Sequence, residues 1–262
     1  MRRLPHLTFP TALGLLLAMS TPLLAAEPAP APTVPWQRLS DQERQVANAL
    51  AQDYMRFLSD AKIPLHRTRF LKAMLDRAGF RPYSAAEKWQ PGAKFYLVNR
   101  DRALLLFVAG KRPLKEGIRL IGAHLDSPRL DLRIRPLKTA EGFAVLKAEP
   151  YGGIKRYQWS NLPLALVGQV ARADGKLVDV SIGEAAGDPV LVMPDLAPHV
   201  DKDYRTRTAD QVFKGEELSV LAATLPDPKG NLAKTVLEEL STRYGLSEED
   251  FVSAELSLVP AT

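Results

Sequence analysis

Between Leu130 and Val192 five short apolar stretches follow one another with no long helix between them. Leu130, Leu132 and Ile134 alternate with Asp131, Arg133 and Arg135, and residues 143–146, 164–170, 178–182 and 190–192 continue the series. Parallel neighbours need crossovers of a dozen or more residues, usually helical, so short strands joined by turns must pair antiparallel. Alternating apolar and charged residues add that the sheet is covered on one face and half exposed. The run reads as a β-rich module set apart from the helical texture around it.

On the N-terminal side, Ser40 and Glu43 form a capping box, and Val46, Leu50, Tyr54, Phe57 and Leu58 follow at helical spacing. Thr68 is the expected cap of a second helix through Leu71, Met74 and Leu75, stopped by Gly79. Residues 95–98 and 103–108 flank the polar turn from Asn99 to Arg102 as a β-hairpin. Beyond the β-rich run, residues 232–244 read as a helix ended by Gly245, and residues 254–259 as a strand. The expected organisation is an α/β domain, its first part at residues 40–135, interrupted by a β-rich domain at 136–250, with 251–262 returning as a strand to the α/β part.

The first 26 residues have the order of an export signal: Arg2 and Arg3, an apolar segment from Ala12 to Met19, then the small residues Ala25 and Ala26. Residues 27–39, rich in Pro and Ala, read as an extended linker. The expected location is therefore the periplasm or the exterior, with no membrane attachment once the signal is removed, since no later run approaches about 18 apolar residues. Cysteine is absent, so any metal must be held by His, Asp or Glu. The net charge of +5 falls to +3 without Arg2 and Arg3, and the remaining basic residues are interspersed with acidic ones, which argues against nucleic acid as a partner.

The chemistry concentrates at residues 118–132. Ile118, Leu120 and Ile121 read as a buried strand, Gly122 and Ala123 as its end, and His124 as the residue delivered there. The period of two puts His124 and Asp126 on the same side, the arrangement of a metal-bound imidazole whose outer N–H is held by a carboxylate. Strand ends are also where open α/β sheets collect ligands. The spacing by itself fits an ordinary surface pair as well.

Over residues 40–262 the chain resembles the M18 family of metalloaminopeptidases, the aminopeptidase I branch related to aspartyl aminopeptidases. The residues that carry the resemblance are Ile121-Gly-Ala-His-Leu-Asp-Ser-Pro-Arg-Leu-Asp-Leu132 and Tyr151-Gly-Gly-Ile-Lys-Arg-Tyr-Gln-Trp159. Asp195-Leu-Ala-Pro-His-Val200, Gly215-Glu-Glu-Leu218 and Ser253-Ala-Glu-Leu256 add to it. The resemblance implies the front part of a zinc-exopeptidase α/β domain, interrupted by a β-rich oligomerisation and lid domain. It implies a two-zinc centre acting on peptide substrates in a homo-oligomer, with His124 as a zinc ligand and Asp126 as the residue that orients it.

Three features of the chain depart from the family pattern. The remaining ligands and the Glu base of the family have no counterpart here, so the chain is expected to be a truncated form with a partial zinc site at most. Glu238 and Glu239 lie on a helix as solvated residues rather than as a catalytic pair. Tyr157 stands where many aspartyl aminopeptidases place a histidine that reaches a neighbouring subunit; it and His199 are candidate substrate or oligomer contacts. Export is the third departure, since the family is usually cytoplasmic. The alternative expectation is a non-catalytic exported protein that keeps the oligomerisation domain for binding or assembly.

Overall fold

A computed structural model of the chain describes residues 34–86, 88–213 and 218–261. The expected export signal at 1–26, residues 27–33 of the expected linker and the Gly215-Glu-Glu stretch lie outside the described residues. The chain divides into one unit ending at Ala49 and another starting at Leu50. In the first unit a 3-10 turn at Pro35–Arg38 occupies part of the expected linker. Ser40 then opens helix α1, Asp41–Asp60, whose second half belongs to the second unit. The capping box forms as expected, with Ser40 N–H donating to Glu43 Oε2 at 2.8 Å and Glu43 N–H to Ser40 Oγ at 3.3 Å.

In the second unit, helix α2 spans Pro64–Arg77 and so begins ahead of the expected cap at Thr68. Proline is pre-set for the first helical position, where a missing N–H costs nothing. Thr68 consequently lies inside the helix, buried, with its hydroxyl unpartnered. Strand β1 (Arg81–Pro82) runs parallel to β2 (Lys94–Asn99), which pairs antiparallel with β3 (Ala103–Val108). Arg100 and Asp101 turn this expected hairpin with φ of 50° and 53°, the left-handed values that match the twist of its strands.

The second sheet holds β4 (Arg129–Ala140), β5 (Phe143–Tyr151), β6 (Leu164–Ala171), β7 (Leu177–Ile182), β8 (Ser219–Ala223) and β9 (Ala254–Pro260). Its order is β7-β6-β9-β4-β5-β8, and each neighbouring pair is antiparallel, as the run of short strands requires. Residues 190–192 contribute isolated bridges rather than a strand. Helix α3 (Leu232–Tyr244) is capped by the Asn231 side chain, which accepts from Lys234 N–H, and stops at Gly245 with φ of 65°.

Period two along β6 shows how the sheet is covered. Leu164, Leu166 and Val170 join the larger core with Leu240 of α3, while Ala165 and Val167 join Ile63 and Leu65 at the start of α2. The middle of the sheet is therefore covered on both faces, not on one. The same sheet runs across the expected boundaries. The strand thought to return to the α/β part, β9, lies between β6 and β4, with Leu166 and Leu130 both opposite Leu258. The sheet also starts at Arg129, inside the stretch assigned to the α/β part. An apolar strand goes where an open ladder can accept its backbone groups, and here that place is the middle of the β-rich sheet.

Candidate functional site

His124 does not end a strand. Residues 119–128 carry no regular structure, and Ile118, Leu120 and Ile121 are 72%, 86% and 93% exposed. Periodicity marks what a segment can become, but a strand also needs a neighbouring ladder, and among the described residues none pairs with this one.

What fixes the segment instead is a pair of buried arginines. Arg67 of α2 donates from Nε to the Ala61 carbonyl at 2.6 Å, from Nη1 to the Leu125 carbonyl at 2.7 Å and from Nη2 to Ser127 Oγ at 2.8 Å. The rigid guanidinium fork suits such a set of acceptors, which a lysine could not span. Burial pulls the Arg67 pKa down against the opposing charge of Asp126. The group stays protonated all the same.

Arg129, at the start of β4, grips the segment from the other side. Its Nη1 donates to Asp126 Oδ1 at 2.5 Å and to the Ser127 carbonyl at 3.2 Å, and its Nε to Asp131 Oδ1 at 2.8 Å and Ser257 Oγ at 3.2 Å. Ser257 Oγ donates in turn to Asp131 Oδ1 at 2.6 Å, and the guanidinium lies 4.0 Å from the centre of the Tyr151 ring. Burial pushes the Asp126 carboxyl up, but the Tyr151 hydroxyl, the Arg129 guanidinium and the Ser127 N–H outweigh it and hold the group below its ordinary value. Asp126 is thus an ionised anchor.

The expected pairing of the Asp126 carboxylate with the His124 ring is not made, because Arg129 and Ser127 take up that carboxylate. The contact between the two residues runs through the backbone: His124 Nδ1 lies 3.1 Å from the Asp126 nitrogen and 3.2 Å from the Asp126 carbonyl oxygen. In the tautomer that donates Nδ1–H to that carbonyl, Nε2 keeps the lone pair a metal or water would use. His124 is exposed at the rim of an open cavity of about 480 Å³ shared with Pro64, Arg102, Leu125, Asp126, Arg129 and Glu255. Arg102 closes on Glu255 in a two-pronged pair, Nε to Oε1 at 2.9 Å and Nη2 to Oε2 at 2.6 Å. The cavity's charges are satisfied within it, which leaves the His124 imidazole as its available ligand.

The other candidate residues lie elsewhere. Tyr157 sits in a 3-10 turn, Arg156–Trp159, and His199 is exposed in the turn at 198–200. Neither lines the His124 cavity. Glu238 and Glu239 are exposed on α3, Glu239 beside the rim of a cavity, and pair with Lys234 and Arg243 at 3.0 and 2.9 Å. Among the described residues no three His, Asp or Glu side chains come together as metal ligands would. Sequence reasoning missed Arg67 and Ser257 in the clamp, which are distant from His124 along the chain, and passed over Arg129 and Tyr151, quoted in the motifs.

The profile described as aminopeptidase I zinc metalloprotease (M18) matches residues 57–262. A probable M18 family aminopeptidase 1 from Clostridium acetobutylicum is 36% identical over 234 residues, which cover 86% of this chain and 50% of the relative. The crystal structure of an M18 aminopeptidase from Thermotoga maritima superposes with a TM-score of 0.79 at 38% identity, covering 87% of this chain and 50% of that one. Aminopeptidase I from Borrelia burgdorferi B31 does so with a TM-score of 0.77 at 29% identity, covering 88% and 53%. The chain spans about half the length of the relatives it matches.

Proposed function

The chain belongs to the M18 family of aminopeptidase I zinc metalloproteases, and from that premise we propose that it carries the front part of the framework of an enzyme that removes N-terminal residues from peptides. The observation behind this reading is the double arginine clamp on residues 125–127, inside the stretch the family matches, which holds an exposed imidazole at the rim of an open cavity.

Catalytic zinc sites use three protein ligands and keep one position open. The described residues fit one such ligand, His124, and not the whole centre, so no hydrolytic step is derived from them. Asp126 acts as a positioning residue through its backbone and its anchored carboxylate. The exposed row of Ile118, Leu120 and Ile121 is, in this reading, the surface on which the rest of a complete family fold packs.

Assembly into a homo-oligomer is part of the proposal, supported by the exposed apolar side chains of Val190, Leu196, Val200 and Leu225. So is export to the periplasm or the exterior, which rests on residues 1–26. No helix among the described residues is long and apolar enough to cross a membrane. The relatives are named as aminopeptidases, which lends nothing to the non-catalytic alternative.

A chimera tests the assignment of His124. Residues 57–262 replace the matching stretch of the Clostridium acetobutylicum relative, and release of the N-terminal residue from aminoacyl chromogenic substrates is followed with zinc present. The expected result is zinc-dependent release that His124→Ala lowers by about 100-fold or more, since it removes a metal ligand. A folded, active chimera indifferent to His124→Ala would refute the assignment.

A further inference from the structure

Beneath α3 the second sheet leaves a cavity of about 250 Å³. Its floor is Leu146, Leu166, Ile182 and Leu240, each nearly fully buried, and its rim includes Val190, which is 53% exposed. From β8 only the small side chains of Ala222 and Ala223 line the space. Protein interiors close-pack and seldom leave voids larger than a water molecule. An apolar cavity of about 150 Å³ stays dry and takes up benzene. The space under α3 is larger than that and has room for an aromatic body of two fused rings.

The polar groups at the cavity define what else a ligand could carry. The Thr235 hydroxyl is already committed to the Leu225 carbonyl at 3.2 Å. Glu239 is the one charged side chain among the described residues that line the space, and Arg243 Nε takes up one of its oxygens at 2.9 Å. A carboxylate has acceptor positions beyond that single bond, so the rim favours a cation over an anion. We propose that this cavity is a binding site for a small aromatic amine, with an apolar body of about indole size against Leu146, Leu166 and Leu240 and its ammonium group beside Glu239. The site is independent of the reading given to His124.

Titration of the full chain, labelled at its Leu and Val methyl groups, with tryptamine, indole and indole-3-acetate tests the proposal by NMR. The expected result is saturable shifts at Leu146, Leu166, Val236 and Leu240, with tryptamine bound roughly tenfold more tightly than indole-3-acetate. Glu239→Gln should remove most of that difference and leave indole binding unchanged. Filling the space by Ala223→Leu, or by Val236→Phe should the first variant fail to fold, should abolish the shifts for all three compounds. Absence of saturable shifts with all three overturns the proposal, as does equal affinity for the amine and the acid, or binding that survives the filled cavity.

Discussion

Arg129→Ala is expected to lower the unfolding free energy by about 3 kcal/mol near neutral pH, read from the shift in denaturant midpoint. Removing one partner of a buried ion pair costs about 3–5 kcal/mol because the other charge is left without compensation. Arg129 keeps 9% of its side chain exposed, while Asp126 and Asp131 keep 22% and 29%, so water can reach the orphaned carboxylates and the lower end applies. Asp126 gives the effect a sign in pH. Its carboxyl lies below the ordinary value in the folded protein, so its stabilisation is present above the unfolded-state pKa and is lost as pH falls through the lower folded value. The penalty of Arg129→Ala should therefore shrink as the pH falls through that lowered folded value. A variant within about 1 kcal/mol of the parent at neutral pH would show that the clamp is not a principal support of the 125–127 segment.

Gly168→Ala is expected to cost more than about 3 kcal/mol or to prevent folding, the largest effect of any single methyl group added to the sheet. Gly168 faces Leu256 across the β6–β9 ladder with φ of 147°. A Cβ there would stand 2.0 Å from the Glu255 carbonyl oxygen and 3.0 Å from the Leu256 Cα, both backbone atoms that cannot swing away. Relief would require β6 and β9 to separate at the centre of the sheet, where Leu166, Leu258 and Val259 are buried. Gly175, in the turn before β7, is the control. Its φ of 81° is also left-handed but nothing lies within 4 Å of an added Cβ, so Gly175→Ala should cost only about 1 kcal/mol. Equal losses from the two variants would mean that conformational strain, not the close approach of β9, governs Gly168.

The antiparallel run could be read from residues alone because alternation and turn spacing are local signals. The places where reading failed depend on partners remote in the chain. Residues 118–121 have the composition of a strand, yet backbone ladders are made by neighbours, and the described residues provide none. Residues 254–259 also look like a strand, and nothing in their own pattern says that β4 and β6 leave a gap of one strand between them. Thr68 is the expected cap of α2, but the helix starts at Pro64, whose fixed φ suits the first helical position. At the site, the H-x-D spacing located the important segment but misjudged its bonding. The guanidinium that takes up the Asp126 carboxylate lies three residues further on, and the one that fixes the Leu125 carbonyl lies 58 residues back, on a helix with no motif to mark it.

We propose that this chain presents His124 as one ligand of a zinc aminopeptidase centre whose other ligands the described residues do not supply. Zinc content and aminopeptidase turnover of the purified chain, measured together after dialysis against micromolar zinc, test it most directly. The account predicts less than one zinc per chain and negligible release of N-terminal residues from aminoacyl substrates. Two tightly held zinc ions per chain together with rapid hydrolysis would contradict it.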